Sequence, residues 1–147
     1  MSLHGYARYS ADVDVLTMSP RVLRRDAWAG LDHIDVRLGD FSDPLAGVVR
    51  VGGDSPTDLI VGKGPAMDFA VRTAELNQGR RVATPLALIL LKLEAGGTRD
   101  RQDVVALAQA RVGLGLPDPL VDVEAHLDLL SDWGRSRWEL VKRVLAS

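Results

Sequence analysis

The chain of 147 residues has no cysteine, which excludes a disulfide scaffold and any thiolate metal centre. Its three histidines, His4, His33 and His126, are scattered without the pairwise spacing that zinc sites use. Net charge is close to neutral at −2, so no global basic field draws the protein to nucleic acid, although a local patch remains open. Aromatic residues are sparse. Trp28, Trp133 and Trp138 are expected to anchor the core or helix packing rather than to stack bases. The longest strongly apolar run, 83–91, is too short to span a bilayer. No charged segment followed by an apolar one opens the chain, so the expectation is a cytoplasmic protein without membrane attachment.

What remains is an ordinary globular composition, long enough to bury a real core. The first half reads as short strands between turns: 11–17, 33–38, 48–51 and 57–61. A helix over 21–31 is expected after Ser19-Pro20, with serine as N-cap and proline at the first position. The second half reads as mainly helical. Helices are expected at 65–76, at 84–95 with Thr84 as cap, at 101–111, and around 121–130 and 135–145, with a short strand at 80–83. The fold class expected is α+β: a small mixed sheet flanked by helices, with a helical C-terminal part.

The richest segment is Arg8-Tyr9-Ser10-Ala11-Asp12-Val13-Asp14-Val15-Leu16-Thr17. A strand turns alternate side chains to opposite faces, so Asp12 and Asp14 point the same way while Val13 and Val15 face a core. Adjacent carboxylates repel unless a cation lies between them, and a hard divalent ion such as Mg²⁺ suits one or two carboxylates plus phosphates. An exposed edge strand whose acidic face meets water is the other reading. Asp58, within Thr57-Asp58-Leu59-Ile60-Val61, repeats the pattern of a carboxylate in an apolar strand. If that strand neighbours the first, three carboxylates share one face; otherwise Asp58 simply faces solvent at the strand's first turn.

A second cluster runs from Thr84-Pro85 through Leu91-Lys92-Leu93-Glu94-Ala95-Gly96-Gly97 to Arg99-Asp100-Arg101-Gln102-Asp103. Lys92 is the first cation on an apolar helix and must emerge where a carboxylate or other anion waits. Asp100 suits the N-cap of the next helix, and Asp103 its third position, where acids complement the dipole. Arg135, Arg137, Lys142 and Arg143 on the last helix form a solvated face or a contact for RNA.

Taken in order, Arg-x-Ser-x-Asp-Val-Asp, then Asp58-Leu59-Ile60, then Thr-Pro-x-x-Leu-x-x-x-Lys-Leu-x-Ala-Gly-x-x-Arg-Asp-x-x-Asp, residues 4–107 resemble the nucleotidyltransferase-like domains of the polymerase-beta-like superfamily. The nearest resemblance is to the AbiE-type and related toxin–antitoxin nucleotidyltransferases. It implies a nucleotidyltransferase-like domain over 1–112 and a helical extension over 113–147 packed on it. It implies Mg²⁺ or Mn²⁺ held by Asp12 and Asp14, with Asp58 as a further metal ligand or the base that activates an acceptor hydroxyl. Lys92 would offset the charge of a nucleoside triphosphate, Arg99 would orient the acids or touch phosphate, and Asp103 would support the site. Family members also carry a strand ending in Gly-Gly or Gly-Ser before the Asp-x-Asp strand, whose amides cradle phosphate. The sequence shows no such turn before His4.

Two functions are therefore expected. One is transfer of a nucleotidyl group to a hydroxyl of RNA, protein or a small molecule. The other is a catalytically inactive binding or regulatory protein of the same fold, working with a cognate partner or as a homodimer.

Overall fold

In a computed structural model, which describes residues 13–147, the chain forms two compact units, 13–71 and 72–147. The fold is α+β, with a mixed four-stranded sheet and a helical C-terminal part.

The first unit is built on strands β1 (Val13–Thr17), β2 (Ile34–Leu38), β3 (Leu45–Val51) and β4 (Thr57–Gly62), in the order β1-β4-β3-β2. β1 runs parallel to β4, and the other neighbours are antiparallel. One face carries Val49 and Val61, both essentially inaccessible to solvent. Gly47 is on this face, where a Cβ would lie 2.7 Å from a methyl carbon of Leu23. Glycine is thus what lets the segment after β1 lie flat on the sheet. Val15 shares the face but is 43% exposed. The expectation that it is core fails because β1, among the described residues, has only β4 beside it.

The helix expected at 21–31 is instead two short 3₁₀ turns, Pro20–Leu23 and Arg25–Trp28, separated by extended Arg24. The reason is local. Ser19 makes no side-chain cap, and its own N–H donates to Thr17 Oγ1. The Trp28 indole N–H takes the Val22 carbonyl at 2.7 Å, an acceptor that a continuous α-helix would need for Asp26. Helix α1 (Pro65–Arg72) follows β4 and buries Ala66, Met67 and Ala70.

α1 ends four residues earlier than its periodicity suggests. Residues 75–77 (β5) pair with Arg80–Val82 (β6) as a hairpin. Gln78 and Gly79 both have positive φ, 49° and 77°, the geometry of the tight turn that matches strand twist. Three helices make the rest of the second unit: α2 (Pro85–Ala95), α3 (Thr98–Gly113) and α4 (Asp132–Leu145). Their core is Ile89, Leu90, Leu93, Val104, Trp138 and Val141, joined by Val123.

Thr84 caps α2 by accepting from the Ala87 N–H at 3.2 Å, with Pro85 at the first position. Gly96 ends α2 in the left-handed region at φ 72°. The Arg137 guanidinium then donates to the Leu93 and Glu94 carbonyls at 2.8 and 2.6 Å. It satisfies acceptors that a helix C-terminus leaves open. The helix expected around 121–130 is two further 3₁₀ turns, Pro119–Asp122 and Glu124–Leu129, with His126 departing from helical geometry.

Candidate functional site

A row of charge crosses the sheet unit. Register pairs Asp14 with Asp58, Asp58 with Arg50, and Arg50 with Asp35, one residue from each strand. Paired residues on adjacent strands project to the same face, so Asp14 and Asp58 lie side by side. Asp12 falls outside the described residues. Neighbouring strands are about 4.8 Å apart, and two carboxylates that close repel unless a cation joins them.

The structure supplies a cation to one of the two, Asp58. The Arg50 guanidinium donates from one nitrogen to both Asp58 oxygens at 3.1 Å. Asp58 is half-buried, so the pair is partly shielded from water and holds more firmly than an exposed one. At the far end of the row Asp35 accepts from Arg37 at 2.9 Å, both largely exposed. Asp35, Arg37, Val48, Arg50 and Asp58 wall a concavity of about 650 Å³ on this face.

The sequence reading did not single out Arg50. Its signal was present: Val48-Val49-Arg50-Val51 places one cation in an apolar strand, as Asp58 is one anion in another. Only the antiparallel register of β3 and β4, which local pattern does not encode, sets them opposite each other.

In the helical unit Lys92 and Asp103 are joined. Lys92 Nζ donates to Asp103 Oδ2 at 2.8 Å and to Asp100 Oδ1 at 3.2 Å. Asp103 is 5% exposed, the one charged side chain among the described residues that is buried. The N-cap of α3 is Gly97, and Asp100 sits at the third helical position, where its other oxygen accepts from the Gly97 N–H at 2.9 Å. The helix therefore starts three residues before its expected first residue, and Asp103 lies a full turn inside it, facing α2 through Lys92. Arg99 is exposed in the first turn of α3.

The basic set on α4 is not a uniformly solvated face. Arg137 caps α2, Arg135 donates to the Leu127 carbonyl at 2.9 Å, and Lys142 bridges Glu124 and Glu139 at 2.9 and 2.7 Å. Trp138 is buried and donates to Glu124. Trp133 is 74% exposed, so it anchors no core.

No protein-family model matches the chain, and no curated protein matches it. The donor chemistry of the sheet row fits a hard divalent cation, since Asp14 and Asp58 present carboxylate oxygens on neighbouring strands. Among the described residues no three His, Cys, Asp or Glu side chains gather into a metal-binding group. Among them, too, no helix is long and apolar enough to cross a membrane.

Proposed function

We propose that the protein is a nucleotidyltransferase that uses Mg²⁺ or Mn²⁺ to pass a nucleotidyl group from a nucleoside triphosphate to a hydroxyl of RNA, protein or a small molecule. On this reading it works in the cytoplasm as a toxin–antitoxin component. The observation that carries the reading is the register of Asp14 with Asp58 on one sheet face, within the motif order described above. Divalent ions there would stabilise the attacking and leaving oxygens of an in-line displacement.

The chain's own contribution is positional. Asp14 and Asp58 are fixed by main-chain pairing of parallel strands, so their separation does not depend on a loop. Asp58, as the inner carboxylate, accepts the acceptor's proton or holds an ion. Arg50 holds Asp58 in a fixed orientation in the free protein.

The second reading is an inactive binding protein of the same fold. It is favoured by the Arg50–Asp58 pair, which satisfies that carboxylate without any metal ion.

Thermal unfolding separates the two. A ligand that binds only the native state stabilises it by about 2.7 kcal/mol at a hundredfold excess over Kd. Each of the four ribonucleoside triphosphates with Mg²⁺ is titrated in turn. The enzyme reading expects at least one to raise Tm, and Asp14→Asn to remove that rise. No rise with any triphosphate, or an equal rise in Asp14→Asn, overturns it.

A further inference from the structure

β2 is the last strand in the order β1-β4-β3-β2, and among the described residues it pairs with β3 alone. Hydrogen bonds at both ends of that pairing fix which main-chain groups face which way. The Gly39 N–H donates to the Ala46 carbonyl and the Gly52 N–H to the His33 carbonyl, each at 2.9 Å. Bonded pairs alternate along an antiparallel ladder, so residues 33, 35, 37 and 39 turn their N–H and C=O groups towards β3. Ile34, Val36 and Leu38 turn theirs to the open edge. The strand reads Ile34-Asp35-Val36-Arg37-Leu38. Asp35 and Arg37 share one face, with side chains 57% and 80% exposed, and Leu38 on the other face is 74% exposed. Charge of a single sign blunts an edge against its own copy. Here one acid and one base flank a central valine, a pattern that complements itself when the strand meets its copy antiparallel.

From this we infer that β2 pairs edge to edge with β2 of a second copy of the chain, antiparallel and centred on Val36, so that the two sheets join into one. The main-chain groups fit this register. Val36 exchanges both bonds with Val36 of the second copy, and Ile34 does so with Leu38, all through groups that point outward in the free chain. Asp35 then lies opposite Arg37 of the second copy, and Arg37 opposite Asp35. These are non-bonded positions, where Cα atoms are about 4.5 Å apart and side chains meet most closely. Opposite charges across strands stabilise such a pairing. The Asp35–Arg37 bond within one strand, 2.9 Å and largely in water, is weak competition. Charge also selects the register. Centring on residue 35 would set Asp35 against Asp35, and centring on residue 37 would set Arg37 against Arg37, like-charged pairs that are destabilising. On the other face, exposed Leu38 gains Ile34 of the second copy as its neighbour. A two-fold contact uses the same patch on both chains, and this strand is its own complement. The inference does not depend on what the charged face of the sheet binds.

The test is sedimentation equilibrium of the full chain from roughly 1 µM to roughly 500 µM, a range suited to a small interface. The weight-average mass is expected to rise from that of one chain towards that of two. Arg37→Asp sets acid against acid at both charged positions of the pairing, while its neighbour across the sheet is Val48. The fold should stand, and association should weaken at least roughly tenfold. Arg37→Lys should keep the dimer. Val36→Pro removes an N–H that points outward and leaves the β2–β3 bonds whole, a placement that proline tolerates on an edge strand. It should abolish the dimer, with far-UV circular dichroism unchanged. A chain that stays monomeric throughout overturns the inference, as does a dimer that survives Val36→Pro or is unmoved by Arg37→Asp. Assembly beyond the dimer overturns it too, because a closed two-fold pairing uses up both edges.

Discussion

Replacing Lys92 with methionine tests what joins α2 to α3. The substitution keeps most of the apolar stem and removes the charge 2.8 Å from Asp103 Oδ2. Asp103 is 5% exposed, so water cannot replace the lost ammonium at that oxygen. Breaking one side of a fully buried pair costs about 3–5 kcal/mol. The Lys92 side chain is 31% exposed, which places the expected loss just below that range, about 2–3 kcal/mol. With a urea m-value of about 1.5 kcal/mol/M, the midpoint should fall by about 1.3–2 M. The double substitution Lys92→Met with Asp103→Leu should recover most of this, because an apolar pair of similar volume replaces a buried ion pair at little net cost. A single-variant loss under about 0.5 kcal/mol would refute the reasoning, since that is the worth of a surface pair. The same variant addresses the role that the resemblance implies for Lys92. If the lysine also offsets triphosphate charge, Lys92→Met lowers nucleotide affinity in native protein well below its denaturation midpoint; a purely structural lysine leaves that affinity unchanged.

The Glu124–Lys142 network sets a pH window. Hydrogen bonds from Lys142 and then Trp138 hold the Glu124 carboxyl below its ordinary pKa, and hydrogen bonds to Glu139 and then Glu124 push the Lys142 ammonium above its own. A lowered acid stabilises the fold above its unfolded pKa and loses that stability as pH falls through the folded one. A raised base stabilises below its unfolded pKa and loses that as pH rises through the folded one. Lys142→Met should therefore flatten Tm against pH at both the acidic and the alkaline ends, as scanning calorimetry would record; an unchanged profile refutes it. Gly96→Ala should cost about 2 kcal/mol from left-handed strain alone, and more because the new Cβ would occupy the space of the Arg137 guanidinium; denaturant titration showing no loss beyond that strain cost would mean Arg137 is not fixed there.

Where a segment's structure follows from its own residues, the sequence reading and the structure agree. Thr84-Pro85 at one end and Gly96-Gly97 at the other define α2 to the residue, because cap chemistry is local. The four sheet strands were each visible as apolar runs between turn residues. Failures came where a distant or side-chain partner decided the outcome. In place of a continuous helix over 21–31, two short turns form and the Trp28 indole closes onto the Val22 carbonyl. Residues 75–77 had helical periodicity, but Gln78-Gly79 accepted positive φ and let them pair with β6 instead. Asp100 looked like a cap from its neighbours, yet the chain turned three residues sooner, at Gly97.

The candidate site was legible as residue types and much less as partners. Alternation makes Asp14 stand out in β1 and isolation makes Asp58 stand out in β4, but their adjacency needed the parallel β1–β4 pairing, a contact between residues far apart in sequence. Arg50 follows the same logic from the other side, since β3 and β4 had to register before its charge meant anything. This ordering bears on chemistry. A carboxylate pair on neighbouring strands has an electrostatic cost that something must offset in the free protein, and here Arg50 lies against the inner member at 3.1 Å. Removing it should leave Asp58 beside Asp14 with less compensation, so Arg50→Met is expected to lower stability, as denaturant titration would record.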